Sequence, residues 1–338
     1  MSNRLSGPLP DPTADAGYAE HPSRVGFFTD TSVCIGCKAC EVACKEWNDL
    51  PADGPHRDPD VLELAGQSYD NTGALGASTY RHVAFVEQPS GGTPPEHPPT
   101  ASAAYGGPPS TAQPCSLRSE GSAEHPPTAS AAFGGLPSTP EPCSLRSEGS
   151  GVRWLMSSDV CKHCTHAACL DVCPTGALIR TEHGTVLVQS DVCNGCGYCI
   201  PACPYGVIGQ RPGDGRAFKC TMCHDRLGAG LMPACATACP TESIQFGPLD
   251  ELRERAAERL RALHRSGETD ARLYGHDPDD GVGGDGAFFL LLDEPEVYGL
   301  PPDPVVTTRD LPSMWRHAAA AALTVAAAVA AGFLGRPR

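Results

Sequence analysis

Sixteen of the eighteen cysteines in this 338-residue chain fall into four groups of four with short, similar spacings. The groups, motifs one to four, are Cys34-x2-Cys37-x2-Cys40-x3-Cys44, Cys161-x2-Cys164-x4-Cys169-x3-Cys173, Cys193-x2-Cys196-x2-Cys199-x3-Cys203 and Cys220-x2-Cys223-x11-Cys235-x3-Cys239. A proline follows the last cysteine of motifs two, three and four. Because closely spaced thiolates must converge on whatever they bind, these motifs constrain the fold more than any apolar pattern does.

The spacing of motif three matches the bacterial ferredoxin run C-x2-C-x2-C-x3-C-P, which binds [4Fe–4S] clusters. Three cysteines, each separated from the next by two residues, can ligate three irons of one cluster. The fourth cysteine lies within a helical turn that carries it away, so it ligates the cluster of a paired motif. Four motifs therefore predict two pairs and four [4Fe–4S] clusters.

Two other uses of cysteine fit the motifs less well. Structural zinc prefers two separated Cys-x2-Cys pairs for each ion, which suits motif four but not the triplets of motifs one and three. A disulfide framework does not require triplet spacing. A metal-binding scaffold without a redox function stays open as an interpretation of another class, and a colourless zinc protein would support it.

The composition predicts an α+β chain of short elements. Glycine and proline supply 37 and 34 residues and aromatic residues only 6%, which leaves little side-chain volume for a large apolar core. Alternating runs at 177–181 and 185–189, joined by 182–184, predict a hairpin. Short strands are predicted at 206–210 and 243–246, and the apolar periodicity predicts an amphipathic helix over 249–266.

A 28-residue segment of the middle region occurs twice. EHPPTASAAYGGPPSTAQPCSLRSEGSA at 96–123 returns, with few changes, at 124–151. Each copy has too few apolar residues to offset the entropy of ordering it, so 89–150 is predicted to be a flexible insertion rather than a solenoid. A loop that binds a partner is the alternative. Each copy carries one cysteine, Cys115 or Cys143, with no other cysteine at ligand spacing.

The two ends of the chain differ in character. Residues 1–25 lack the apolar segment of a secretory signal peptide and are expected to form a disordered extension. Residues 318–335 carry no charge and are long enough, as a helix, to cross a membrane, so 313–338 is predicted to be a single membrane anchor. A soluble alanine-rich packing helix is the alternative. Arginines on both flanks do not orient the helix.

The residues outside the motifs indicate neither a nucleic-acid partner nor a nucleotide site. The net charge of −15 argues against nucleic acid as a partner. Gly281-x-Gly283-x-x-Gly286 matches a dinucleotide fingerprint as text, but the AFFLLL that follows is typical of a strand, so a turn and no nucleotide are expected. No catalytic site of the chain's own is expected.

Charged and imidazole side chains near the motifs are expected to act on the clusters indirectly. His163 and His166, inside motif two, are interpreted as hydrogen-bonding or exposed residues rather than ligands. Lys162, Lys219 and Arg226 are expected to raise cluster potentials by stabilising the reduced form.

The chain resembles the iron–sulfur (beta) subunits of membrane-bound formate dehydrogenase, which are four-cluster ferredoxin-type subunits of the complex iron–sulfur molybdoenzyme family. The likeness is carried by the motif blocks Cys34–Leu50, Cys193–Val207 and Lys219–Gly247. Features of that branch follow at Gly281–Leu292 and in Tyr298-Gly299-Leu300-Pro301. The resemblance covers roughly residues 26–88 and 151–335.

This resemblance implies two interleaved ferredoxin-like dicluster modules. Motifs one and four form one module, from 26–88 with 205–247, around a module of motifs two and three at 151–204. A helix–strand extension follows at 248–312. The implied ligand sets are Cys34, Cys37, Cys40 and Cys239 for cluster a; Cys220, Cys223, Cys235 and Cys44 for cluster b; Cys193, Cys196, Cys199 and Cys173 for cluster c; and Cys161, Cys164, Cys169 and Cys203 for cluster d.

The resemblance also implies a function, partners and a location. The chain would be a non-catalytic subunit that relays electrons from a molybdenum- or tungsten-pterin formate dehydrogenase alpha subunit to a membrane cytochrome b gamma subunit and quinone. The same relay in a polysulfide, dimethyl sulfoxide or nitrate reductase, or in a hydrogenase complex, is the alternative. The subunit would lie at the cell membrane, by family precedent on the extracytoplasmic side, exported with the catalytic subunit.

Replacing both Cys115 and Cys143 by serine should leave the iron content unchanged, because neither cysteine has a ligand partner at motif spacing. Iron per chain, measured on anaerobically purified protein, checks this. A loss of about four irons would mean that the repeat takes part in a cluster.

Overall fold

The computed structural model describes residues 11–51, 73–89, 152–211, 213–306, 308 and 311–334. The predicted insertion at 89–150, with Cys115 and Cys143, lies outside the described residues except for Pro89, and so do residues 1–10 of the predicted N-terminal extension. All sixteen motif cysteines lie within the described ranges.

The described part of the chain consists of short elements, as its composition predicts. The helices are α1 Pro12–Asp15, α2 Ala39–Trp47, α3 Ala168–Asp171, α4 Cys199–Ala202, α5 His224–Gly228, α6 Ala234–Thr237, α7 Leu249–Arg265 and α8 Leu311–Leu334. The strands are β1 Val25–Asp30, β2 Arg81–Pro89, β3 Val152–Val160, β4 Leu178–Arg180, β5 Val186–Val188, β6 Gly209–Gln210, β7 Ala217–Phe218, β8 Ile244–Pro248, β9 Arg272–Tyr274 and β10 Ala287–Leu291. Two 3-10 turns lie at Thr31–Val33 and Pro295–Tyr298.

A four-stranded sheet in the order β8-β1-β10-β9 contributes Phe27, Phe28 and all of β10 to the apolar core. The inner strands β1 and β10 run parallel, with Phe28 opposite Phe288, while β8 and β9 pair antiparallel at the edges. Every residue of β10 is buried, as expected for an inner strand covered on both faces. The prediction of a strand after Gly281–Gly286 is confirmed.

Helix α7 covers one face of this sheet. Its stripe of Leu249, Leu252, Ala256 and Leu263 is buried against Phe28 and the even-numbered residues of β10. The charged residues of the helix lie on the other face, so the predicted amphipathic helix is confirmed, ending one residue earlier than expected. Because β9 and β10 belong to the central sheet and α7 packs on it, these parts of the predicted extension at 248–312 belong to the core rather than lying beside it.

The described residues also form three antiparallel two-stranded sheets beside the central sheet. The predicted hairpin within 177–189 is observed as β4 and β5, and the predicted strand at 206–210 is reduced to β6, which pairs with β7. The predicted strand at 243–246 is β8. The longest pair is β2 with β3, which runs from Arg81 opposite Val160 to Pro89 opposite Val152.

The strand pairing and helix packing join segments that are distant in the sequence. Strand β1 precedes motif one and pairs with β8, which follows motif four. Helix α2 of motif one packs on α6 of motif four, and α3 of motif two packs on α4 of motif three. Motif one therefore lies beside motif four, and motif two beside motif three.

The described part of the N-terminal segment differs from the disordered extension expected for 1–25, because it forms the short helix α1 and contacts motif two through Arg24. Asp11 caps α1 by accepting hydrogen bonds from the backbone amides of Thr13 and Ala14, and Thr13 is completely buried. Arg24 donates to Thr165 Oγ1 at 2.6 Å and to the His163 carbonyl at 3.0 Å. These contacts, 139 residues or more apart in the chain, are not visible as a local sequence pattern.

Helix α8 is the one element of the described residues that is long and apolar enough to cross a membrane. Its span Ser313–Gly332 has 20 residues, and none of its apolar side chains is buried against the rest of the chain. A helix of that length extends about 30 Å, which matches the hydrocarbon thickness of a bilayer. An exposed apolar helix favours the predicted anchor over the alternative of a packing helix in a soluble protein.

Replacing residues 90–151 by a two-residue Asn-Gly turn should preserve the fold and the iron content. Pro89 and Val152 are paired across β2 and β3, so the segment leaves and returns at one point. Each halving of a flexible loop lowers its closure cost by about 0.6 kcal/mol, so the thermal midpoint should be equal or higher. Lower iron content in the shortened chain would show that the segment supports a cluster.

Candidate metal-cluster sites

The sixteen motif cysteines are all free thiols, and their exposure varies in an ordered way. Seven are buried: Cys40, Cys44, Cys161, Cys199, Cys220, Cys223 and Cys235. Cys37 of motif one and Cys196 of motif three are exposed. Some of the candidate sites are therefore enclosed, and others lie near the surface.

Several residues between the motif cysteines adopt a left-handed backbone conformation. This conformation turns the chain so that successive thiols can face one point. Lys38 in motif one, His163 in motif two and Met222 in motif four have positive φ, a conformation that non-glycine residues adopt rarely. In motif three glycines take this role, at Gly195 and Gly197. The strain indicates that the ligand geometry, rather than local preference, determines these loops.

Backbone N–H groups in and near these loops are directed at sulfur. The amide of Met222 donates to Cys220 Sγ at 3.3 Å, and the amide of Ala217 donates to Cys193 Sγ at 3.5 Å. Such bonds stabilise thiolates over thiols, which is the form that binds metal.

Cysteines of motifs one and four surround the first site. A small pocket is lined by Cys34, Cys37 and Cys40 together with Cys239. Burial, together with the charges of Cys40 and Cys239, raises the pKa of the Cys34 thiol to about 11. The structure thus brings together the four residues that the resemblance implies for cluster a.

The second group adjoins the first, where α2 packs on α6. Burial raises the pKa of the Cys44 thiol well above its usual range. The neighbouring thiols whose charges add to this increase are Cys220, Cys235 and Cys223. These four are the residues implied for cluster b.

The remaining two groups lie in motifs two and three. Burial raises the pKa of the Cys164 thiol, and the charges that add to the increase are those of Asp285, Cys203, Cys161 and Cys169. Burial also raises the pKa of the Cys199 thiol to about 11, with added repulsion from Cys193, Cys173 and Cys196. The cysteines in these two groups are those implied for clusters d and c.

The four groups fit a polynuclear cluster better than single ions. Among the described residues, no three His, Cys, Asp or Glu side chains converge closely enough to hold one metal ion. Four thiolates around one zinc lie about 2.3 Å from it, whereas each cysteine of a [4Fe–4S] cluster binds a different iron and the sulfurs stay further apart. All-sulfur donors, a buried setting and N–H groups directed at sulfur suit such a cluster.

Comparisons with known proteins agree with this chemistry. The model of the 4Fe-4S dicluster domain family matches residues 152–249, which contain motifs two, three and four. The chain is 34% identical over 305 residues to the formate dehydrogenase iron-sulfur subunit of Haemophilus influenzae, covering 89% of this chain and 75% of that protein. It is 32% identical over 310 residues to the nitrate-inducible formate dehydrogenase iron-sulfur subunit of Escherichia coli, covering 90% and 81%. The chain belongs to the family of formate dehydrogenase iron–sulfur subunits.

A more distant relative of this iron–sulfur subunit is the B subunit of the anaerobic dimethyl sulfoxide reductase of Escherichia coli. The identity is 28% over 234 residues, covering 69% of this chain and 78% of that protein. The predicted 4Fe–4S cofactors and the predicted family are confirmed by these matches.

Lys219 of the iron–sulfur subunit contacts a thiol of motif two. Its buried Nζ donates to Cys161 Sγ at 3.5 Å, to the Val186 carbonyl at 2.6 Å and to the Cys220 carbonyl at 2.8 Å. Cys161 belongs to the group of cluster d and Cys220 to that of cluster b. This ammonium therefore lies between two groups.

The other two predicted cations have different contacts. Lys162 forms a short ion pair with Asp159 and lies 4.9 Å from the centre of the Phe289 ring, so its charge is directed into a protein pocket rather than at a thiol. Arg226 stacks 4.2 Å from the Trp47 ring, and its charge opposes the rise in pKa that burial causes at Cys223. The pairing of Lys162 with Asp159 argues against its expected effect on a cluster potential, and Arg226 keeps a minor electrostatic role.

The histidines of motif two are held by protein contacts. His163 is completely buried, and its Nδ1 accepts a hydrogen bond from the Val186 amide at 3.0 Å. Burial and the charges of Lys219, Arg180 and Arg24 lower its pKa, so it is neutral. The ring of His166 packs against Gly283, where an added Cβ would lie 2.4 Å from Cδ2.

One residue at the sites was not predicted. Arg81, the first residue of β2, is fully buried beside Ser158, whose hydroxyl lies 3.2 Å from Cys40 Sγ. It stands outside every cysteine motif, and an arginine in a strand is ordinarily exposed, so no sequence pattern identified it.

Replacing Lys219 by methionine should lower the midpoint potentials of two clusters, those of groups b and d, because the reduced forms lose a neighbouring positive charge. Potentiometric titration followed by electron paramagnetic resonance measures this. Lys162→Met is the matched control, since that ammonium is equally buried but pairs with Asp159. Unchanged midpoints in Lys219→Met would contradict the assigned role.

Proposed function

We propose that this chain is the electron-transfer subunit of a formate dehydrogenase complex. Four [4Fe–4S] clusters would relay electrons from a separate molybdenum- or tungsten-pterin catalytic subunit to a membrane cytochrome b and quinone. The observation that carries the proposal is the convergence of sixteen cysteines into four all-sulfur groups in a chain of this family. Bound clusters supply one-electron transfer, and the protein's residues hold, insulate and tune them.

The ligand sets are proposed as the resemblance implies them. The fourth cysteine of each motif serves the neighbouring motif's cluster, so Cys239 completes cluster a, Cys44 cluster b, Cys173 cluster c and Cys203 cluster d. The pocket shared by motif one and Cys239 supports this exchange of ligands. Two interleaved modules follow from it, and the contacts of α2 with α6 and of α3 with α4 support that arrangement.

The neighbouring thiols suggest an order along the protein. Cys40 of cluster a lies near Cys235 of cluster b, Cys220 of b near Cys161 of d, and Cys169 of d near Cys199 of c. The resulting order is a, b, d, c. Its two ends carry the exposed cysteines, Cys37 in a and Cys196 in c, where partner subunits could exchange electrons over a short distance.

Helix α8 is proposed to anchor the subunit beside a membrane cytochrome b. Its apolar span is exposed along its whole length, and Trp315 near its start is a residue type enriched at membrane interfaces. Following the family precedent, we propose that the clusters face the extracytoplasmic side, with export in the company of the catalytic subunit.

A role in a dimethyl sulfoxide reductase is the second candidate, and the match to the B subunit of that enzyme favours it. That match covers 69% of this chain, against 90% for the Escherichia coli formate dehydrogenase subunit. Formate is therefore the better-supported electron donor.

The direct test is reduction by formate of the complex purified anaerobically through this chain. A molybdopterin subunit and a cytochrome b should copurify, and formate should produce the electron paramagnetic resonance signals of reduced [4Fe–4S] clusters. Dimethyl sulfoxide is the matched comparison. Reoxidation of dithionite-reduced complex by dimethyl sulfoxide, without reduction by formate, would replace the proposal with its alternative.

Cys239→Ser should alter cluster a, although Cys239 belongs to motif four. We expect loss of about one iron, or of about four, with the signal of cluster b retained. Cys235→Ser is the matched control, four residues away, and should alter cluster b instead. If both variants disturb the same cluster, each motif binds its own cluster and the exchange of ligands is wrong.

A further inference from the structure

A fully buried guanidinium adjoins the cysteine groups of both cluster a and cluster b. Arg81 is 1% exposed and is among the largest fully buried side chains of the described residues. Its neighbours among the thiols are Cys235, Cys40, Cys220 and Cys44. Cys40 belongs to cluster a and the other three to cluster b, so the positive charge lies where the two groups meet.

Two protein contacts hold the guanidinium plane in place. Nη1 donates to the carbonyl oxygen of Ser158 at 3.2 Å and to its hydroxyl at 3.0 Å. The guanidinium carbon lies 4.9 Å from the centre of the Phe27 ring, on its face side, as a cation–π contact requires. The position of the charge is therefore set by β1 and β3, not by the clusters.

Two of the donors of this guanidinium have no acceptor within the described residues. Nε and Nη2 are both buried without a hydrogen-bond partner. Unsatisfied charged donors are rare in protein interiors because burying them is costly. The charges that act on this guanidinium are those of the thiols of groups a and b, and sulfur can accept an N–H hydrogen bond.

The charge of Arg81 is permanent at any physiological pH. Burial lowers the pKa of this guanidinium, but the charges of the four cysteines outweigh burial and hold the pKa above its ordinary value. Reduction adds one electron to a cluster and makes it one unit more negative. A fixed positive charge beside it favours the reduced form without taking up or releasing a proton.

We propose that Arg81 is a tuning residue shared by clusters a and b, whose guanidinium directs Nε–H and Nη2–H at their sulfur atoms and raises both midpoint potentials. The inference rests on the proposed ligand sets. One residue then shifts the midpoint potentials of two adjacent clusters in the same direction.

Arg81→Gln tests the proposal, because glutamine can still bond Ser158 but carries no charge. In the complex purified through the full-length chain, we expect the midpoint potentials of two of the four clusters to fall. The fall should be at least tenfold in the one-electron reduction equilibrium, which is about 59 mV. The other two midpoints, and the pH dependence of all four, should not change. Redox titration followed by electron paramagnetic resonance supplies the measurement.

Two further variants make each outcome decisive. Arg153→Gln on β3 is the control, since that arginine pairs with Asp293 at 3.4 Å at the partly exposed end of the hairpin, and all four midpoints should stay unchanged. Arg81→Lys retains the charge and should keep the wild-type iron content and midpoints within about 59 mV.

Unchanged midpoints in Arg81→Gln at full iron content would overturn the proposal. If Arg81→Gln loses iron, Arg81→Lys decides: full iron and near wild-type midpoints support a role of the charge, and the same iron loss contradicts it. Wild-type protein with fewer than about sixteen irons would instead refute the ligand sets themselves.

Discussion

The repulsion among closely spaced, buried thiolates is the constraint on which the rest of this structure depends. In each of the four groups, burial raises the pKa of a cysteine thiol and the neighbouring thiols raise it further. Iron provides the positive charge that makes such an arrangement stable, because a metal-bound cysteine is deprotonated. Folding and cluster binding are therefore expected to be coupled in this protein, as they are in other small metal-dependent domains.

The apolar core is arranged around these groups. The β8-β1-β10-β9 sheet and α7 form an ordinary packed core, with Phe28 stacked on Phe288 at 5.3 Å between ring centres. The motif loops themselves contribute few apolar side chains and rely on short helices, left-handed residues and ligand bonds. Buried cations complement the clusters: Lys219 lies between groups b and d, and Arg81 between groups a and b.

Local patterns were sufficient to predict the parts of the fold that depend on neighbouring residues. Cysteine spacing predicted the clusters, alternation predicted β4 and β5, and apolar periodicity predicted α7 within one residue. The contact of Arg24 with motif two and the place of β10 beside β1 were not predicted, because both depend on contacts between distant segments.

The candidate sites were predictable to a different extent. The sixteen ligands are predicted from cysteine spacing, and the ligand sets are predicted from the resemblance to the family. The structure groups the same residues, but their binding of clusters stays a prediction. Arg81 had no sequence signal, because a strand arginine is recognised as a cluster neighbour only when its burial and the surrounding sulfurs are known.

The number of clusters is the central claim, and chemical analysis of the anaerobically purified wild-type chain tests it most directly. Iron, acid-labile sulfide and zinc should be measured on the same sample. Four [4Fe–4S] clusters require about sixteen irons and about sixteen sulfides per chain, with negligible zinc. Stoichiometric zinc without labile sulfide would contradict the account and favour a metal-binding scaffold without a redox function.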